Sequence, residues 1–73
     1  MSEYTSRLLR LLKSEANQER TVQGSRSDYA TKLGVDVLDI RNGLMDLYRQ
    51  GAFTIEPYVD RKDGFSVTLA MPD

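Results

Sequence analysis

Within the run Lys32-Leu33-Gly34-Val35-Asp36-Val37-Leu38-Asp39-Ile40-Arg41-Asn42-Gly43-Leu44, one helix has to end and another has to begin. Glycine accepts the left-handed backbone conformation that other residues resist, so Leu33-Gly34 predicts a helix terminus. Asp36 can cap the next helix with its carboxylate, and Ile40, Leu44 and Leu47 recur behind it at helical spacing. A helix, a glycine turn and a second helix let that second helix stand proud of a small domain and enter a groove. The layout points to binding rather than to chemistry.

At 73 residues the chain makes one domain, spanning 1–73, close to the lower size at which a protein folds alone. It has no cysteine, so neither disulfides nor thiolate zinc can support it, and the apolar core is its only resource unless a partner subunit helps. No apolar run approaches the roughly 18 residues that span a bilayer. Met1-Ser2-Glu3-Tyr4 lacks the charged-then-apolar layout of a secretion signal. The expectation is a soluble cytoplasmic protein with no membrane partner, and a start at Met1 favours a complete one. With no His and no Cys, the usual general base, thiol nucleophile and soft metal ligands are missing. Asp60 and Asp63 do not match a calcium loop, and 73 residues scarcely make a catalytic cleft. The expectation is therefore no enzyme, no cofactor and no metal.

The first helix is predicted from Ser2 or Glu3 to Ala16, with Tyr4, Leu8, Leu11 and Leu12 in one stripe. Leu9 lies at the edge of that stripe, as core rim or as a dimer contact. Thr21-Val22-Gln23 is too short for an independent strand but can pair with an existing hairpin. Ser27 is the expected cap of the second helix, with Asp28 at the positive end of its dipole and Ala30 and Leu33 facing inward. The third helix is predicted from Val37 to Gln50, ended by Gly51. Gly43 sits inside it at a cost of about 1 kcal/mol relative to alanine, which close approach of another helix backbone would offset.

From Phe53 onward the hydrophobic period changes from 3.6 to 2, giving two strands around Asp63-Gly64. A two-residue Asp-Gly turn would put Asp60 and Glu56 on the apolar face of Val67 and Leu69, which the pleat forbids. Pairing Val59 with Phe65, Ile55 with Leu69 and Phe53 with Met71 keeps one apolar face. The loop is then Asp60-Arg61-Lys62-Asp63-Gly64, with two cations at its tip. Pro57 has no amide to donate, so its strand belongs at the sheet edge and Thr21-Val22-Gln23 beside the other.

This order, carried by Tyr29-Ala30, Leu33-Gly34-Val35, Ile40, Leu44, Leu47 and Gly51-Ala52-Phe53, resembles the winged helix-turn-helix superfamily from Leu8 to Met71. The resemblance implies an α+β fold of three helices followed by a β-hairpin wing. It also implies that the third helix enters the major groove of double-stranded DNA. With Ile40 inward, Leu38, Arg41, Asn42, Met45 and Arg49 lie about 100° to 200° away and make its outward face. Guanidinium suits guanine and carboxamide suits adenine, so Arg41 and Asn42 are candidate base readers. Arg61 and Lys62 on the wing can reach phosphate or a minor groove. Ser25, Arg26 and Ser27, at the start of the second helix, can meet phosphate through hydroxyls and free amides, and Lys32 is a further phosphate candidate. Arg7, Arg10 and Lys13 read as a solvated helix face.

Charge works against this expectation. Net charge is −1, with residues 1–32 at +2 (six basic, four acidic) and residues 33–73 at −3 (four basic, seven acidic). DNA readers usually carry a basic footprint, and Asp36, Asp39 and Asp46 lie on or beside the presumed reading helix. Leu38 and Met45 can touch thymine methyls, or they can anchor a protein partner. Two functions follow. The first is a small, dimeric, sequence-specific DNA-binding protein acting in transcription regulation, or in replication or recombination. The second is a protein-interaction module using Leu38, Met45 and Leu9.

Overall fold

A computed structural model describes residues 3–70. The elements run α1 (Glu3–Glu15), β1 (Thr21–Ser25), α2 (Arg26–Leu33), α3 (Val37–Arg49), β2 (Tyr58–Val59) and β3 (Gly64–Thr68). The three strands form one antiparallel sheet in the order β1-β3-β2. The result is a small α+β domain compatible with the winged helix that the sequence resembles. It is not simply three helices followed by a hairpin, because β1 is inserted between α1 and α2. A lone run of this length would not hold in water, but pairing with β3 from Thr21↔Thr68 to Ser25↔Gly64 supplies its ladder. β1 passes Phe65 at Gly24, where a Cβ would lie 2.9 Å from the ring, so glycine lets the pairing continue to Ser25.

The helices form where the periodicity places them, with caps that differ in detail. α1 buries Leu8 and Leu12 completely, and Thr5 almost as fully, on one face. α2 starts two residues earlier than the expected cap allows: Ser25, not Ser27, is the N-cap, accepting from the Asp28 amide at 3.2 Å. Gly34 closes α2 at φ 69°, ψ 35°, while the Val35 amide reaches back to Ala30 O at 3.0 Å. Asp36 is the N-cap of α3, and Asp39 accepts the Asp36 amide at 3.2 Å. Gly51, at φ 85°, follows the last turn of α3. Gly43 does face α1, but a side chain meets it: a Cβ at Gly43 would lie 2.9 Å from Leu8 Cδ2 and 3.2 Å from Tyr4 Cε2.

Ile40, Leu44 and Leu47 of α3 close over Leu8 and Leu12 of α1, and all five are fully buried. Phe65, Val67 and Leu69 form the sheet side of this core. Tyr29 is buried between, its ring edge-on to Phe65 with centroids 5.0 Å apart and planes at 83°.

The hairpin keeps the expected register only near its loop. Val59 opposes Phe65 and Tyr58 opposes Ser66, but Phe53, not Ile55, opposes Leu69. Met71, the partner expected for Phe53, lies outside the described residues. Two residues are therefore looped out between Phe53 and Tyr58, and Ile55 is 65% exposed. Pro57 explains why the ladder breaks there: with no amide to donate it cannot continue a pair, and its ring is buried instead. The chain rejoins β3 where the Thr54 amide donates to Thr68 O at 3.0 Å. β2 is the sheet edge and β1 flanks β3, both as the proline requires.

Candidate nucleic-acid interface

One face of α3 is left uncovered by the packing of Ile40, Leu44 and Leu47. It carries Leu38 at 63% exposure, together with exposed Arg41, Asn42, Tyr48 and Arg49. Met45 is half-buried, less open than its angle on the helix suggests. Arg41, Asn42, Met45 and Arg49 line one shallow depression with Asp46 and with Tyr4 of α1. The structure thus brings together four of the five residues expected on the outward face, with Leu38 nearer the start of the same helix.

The acids that seemed to oppose nucleic acid on this helix have local work. Asp39 holds the N-cap amide of Asp36. Asp46 accepts from Arg49 Nη1 at 2.7 Å, an exposed pair worth a few tenths of a kcal/mol to about 1 kcal/mol. Arg41 and Asn42 have no ion pair or side-chain hydrogen bond with another described residue, so their polar atoms are free to meet a ligand.

The start of α2 is different, because its groups are already engaged. The Asp63 carboxylate from the β2–β3 loop accepts from the Ser25 hydroxyl, from the Ser27 amide at 2.9 Å and from the Ser27 hydroxyl at 2.5 Å. The Arg26 amide donates to Asp63 O at 2.7 Å, and its guanidinium donates to Asp63 O at 3.2 Å and Asp60 O at 2.8 Å. Arg26 Nη2 also stands 3.9 Å from the Asp60 carboxylate. The hydroxyls and amides expected to meet phosphate at Ser25, Arg26 and Ser27 are therefore used within the chain. The Asp63 carbonyl, the Asp63 carboxylate and the Ser25 hydroxyl take the Arg26, Ser27 and Asp28 amides respectively, the same groups at the positive end of the dipole that would attract an outside anion.

Lys32 is similarly committed. Its Nζ stands 3.1 Å from both Glu15 Oε2 and Asp28 Oδ2, and 5.7 Å from the Tyr29 ring centroid. Glu15 also accepts the Tyr29 hydroxyl, and that hydrogen bond, seconded by Lys32, holds its carboxyl below the usual range. Burial first, then the neighbouring Glu15, pushes the Tyr29 phenol up. This cluster ties the end of α1 to α2.

The loop itself is folded around Asp60. One carboxylate oxygen accepts the amides of Lys62, Asp63 and Gly64 at 2.8, 2.9 and 2.9 Å. Partial desolvation raises the Asp60 carboxyl, but those three amides and Arg26 outweigh it, and the net shift is downward. Asp63 is lowered chiefly by the Ser25 and Ser27 hydroxyls. Arg61 and Lys62 remain exposed at the tip without a side-chain partner among the described residues. Asp60 was legible as an aspartate opening a tight loop. Asp63 carried no such signal, since its partners Ser25 and Ser27 lie 38 and 36 positions away.

Leu9 is half-buried and lines a separate crevice with Lys13, Leu47, Gly51, Ala52 and Leu69. No group of three or more metal-ligating side chains is gathered among the described residues, and no described helix is long and apolar enough to cross a membrane. Comparisons with protein-family models, with curated proteins and with solved structures returned no match to this chain.

Proposed function

We propose that this chain is a winged-helix protein that binds double-stranded DNA sequence-specifically, as a small transcriptional regulator or an accessory to replication or recombination. The observation that carries the reading is the free pair Arg41 and Asn42 on the exposed face of α3, beside a depression open to solvent. Both side chains have the donor and acceptor chemistry that base edges in a major groove require. Arg61 and Lys62, at the tip of the wing, supply backbone contacts. Ser25, Arg26, Ser27 and Lys32 fall outside this contact set because their groups are engaged within the fold. If the protein acts as a homodimer, two half-sites about one helical turn apart follow.

Near-neutral net charge limits non-specific attraction, so base contacts from α3 have to supply a larger share of the affinity. Arg41→Ala and Asn42→Ala each remove a base contact worth about 1–3 kcal/mol, roughly five- to 150-fold in affinity. They also relax base preference at one position each, which a competition series of single-base operator variants detects. Arg61→Ala instead weakens all sequences alike and lowers the salt slope by about 1.

A second reading rests on the apolar part of the same face. Leu38 at 63% exposure stands with Val37 at 39% and Tyr48 at 37%, a composition suited to the centre of a protein interface. In that case Leu38→Ala or Met45→Ala abolishes partner capture, and binding tolerates salt.

A further inference from the structure

The wing of this protein is fastened at both ends to the rest of the fold, and what remains free is its pair of cations. Asp60 gathers the amides of Lys62, Asp63 and Gly64 onto one oxygen, which fixes the loop's shape. Arg26, with its side chain largely covered, bonds to the carbonyls of Asp60 and Asp63, which ties the loop to α2. Asp63 completes the fastening by seating its carboxylate on the hydroxyls of Ser25 and Ser27 and the amide of Ser27. Of the loop's charged side chains, both acids point inward to these partners while Arg61 and Lys62 stay exposed.

We infer that Asp63 is a positioning residue for nucleic-acid binding: by docking the wing on the start of α2, it presents Arg61 and Lys62 in one fixed place relative to the helix pair. The inference rests on the DNA reading of the previous subsection. A loop ordered before binding loses less conformational freedom when it binds, so its contacts yield more affinity than the same cations on a loose loop. α2 leads directly through Gly34 to α3, so a wing docked on α2 keeps a set relation to the reading helix.

The sign of the effect separates this role from simple electrostatics. Removing an acidic side chain from a DNA-binding face reduces repulsion of phosphate, and on charge alone Asp63→Ala would tighten binding. A positioning role predicts the opposite, a loss of about tenfold at moderate salt. Arg61→Ala/Lys62→Ala should cost about tenfold in the native background and less than about threefold in Asp63→Ala, because the cations are no longer held where they act. Asp63→Asn, which keeps the shape, and Ser27→Ala, which removes one donor at an exposed site, guard against a folding failure. Each should lose affinity in the same direction by a smaller factor.

The decisive experiment measures affinity of these variants for one duplex, alongside amide hydrogen exchange of the free proteins. The expected result is weaker, non-additive binding, with faster exchange at Ser27 and residues 62–64 and unchanged protection in α1 and α3. Asp63→Ala binding as tightly as the native protein, or more tightly, overturns the positioning role while leaving the DNA reading intact. Unchanged exchange in the loop overturns the docking itself, independently of any ligand. A native protein that binds no duplex at any salt concentration overturns the DNA reading, and this role with it.

Discussion

Gly43→Ala sets two effects of opposite sign against each other. In the interior of α3, alanine is favoured over glycine by about 1 kcal/mol because glycine loses more backbone freedom on folding. The added methyl, however, would lie 2.9 Å from Leu8 Cδ2 and 3.2 Å from Tyr4 Cε2. Carbon atoms sit comfortably about 3.5–4.0 Å apart, so the first contact is short by more than half an ångström. Tyr4 is half-buried and can yield, whereas Leu8 is fully buried, so its terminal methyl can move only by displacing core neighbours. Overpacking of this kind costs about 1–3 kcal/mol. Taking the middle of that range, Gly43→Ala destabilises the protein by about 1 kcal/mol net. Urea denaturation should show the midpoint falling by about 1 M at a slope of about 1 kcal/mol/M, the low value expected of a small domain. Leu8→Ala alone should cost about 3 kcal/mol by opening a cavity, and the double variant less than the sum, because the new methyl occupies part of that space. A raised midpoint in Gly43→Ala, or strict additivity with Leu8→Ala, would refute the packing argument.

Three further perturbations test other parts of the fold. Gly34→Ala forces a side chain into φ 69° at the end of α2 and should cost about 1–2 kcal/mol, read from the same denaturation curves; an unchanged midpoint would contradict it. Tyr29→Phe keeps the ring on Phe65 but loses the hydrogen bond to Glu15, for a loss of about 1 kcal/mol; Glu15→Gln keeps an acceptor but gives up its charge and the Lys32 pair, and should cost a similar amount. The carboxyls of Asp60 and Asp63 sit below their ordinary 3.8, and that of Glu15 below 4.5, because their charged forms are held by donors in the folded protein. A depressed folded pKa contributes stability above the unfolded value and loses it as pH falls through the folded one. Stability should therefore decline below about pH 4, with a shallower decline in Asp63→Asn, and a flat urea midpoint between pH 5 and about 2 would contradict the assignment.

Legibility in the sequence followed the range of the interactions. The α2–α3 turn was readable because Gly34 and the apolar period of Ile40, Leu44 and Leu47 act within a few residues of one another. The pairing of Val59 with Phe65 was readable because any odd shift would have buried Asp60 and Glu56. The slip at Thr54–Pro57 was not: Pro57 marks where the ladder can break, but alternation runs unbroken through Ile55, and the two-residue shift shows only in the tertiary pairing of Phe53 with Leu69. On α3, angular position correctly separated buried Ile40 and Leu44 from exposed Leu38, Arg41 and Asn42. Half-burial of Met45 escaped it because helix angles take no account of α1, whose Tyr4 lines the same depression. Ser25 and Ser27 were equally good caps locally, and their division of labour depends on Asp63, far along the chain. That distance is why the start of α2 read as an open phosphate site when the chain fills it with its own carboxylate.

Retention of a random duplex pool at low and moderate salt is the direct test of whether the free face of α3 and the wing cations read duplex DNA. A DNA-reading protein should be retained with an affinity that falls steeply with salt, through counterion release, and should enrich a motif among the retained sequences. That motif should lose definition at particular positions in Arg41→Ala and Asn42→Ala. No retention even at low salt would rule out DNA reading and point to Leu38, Met45 and a protein partner.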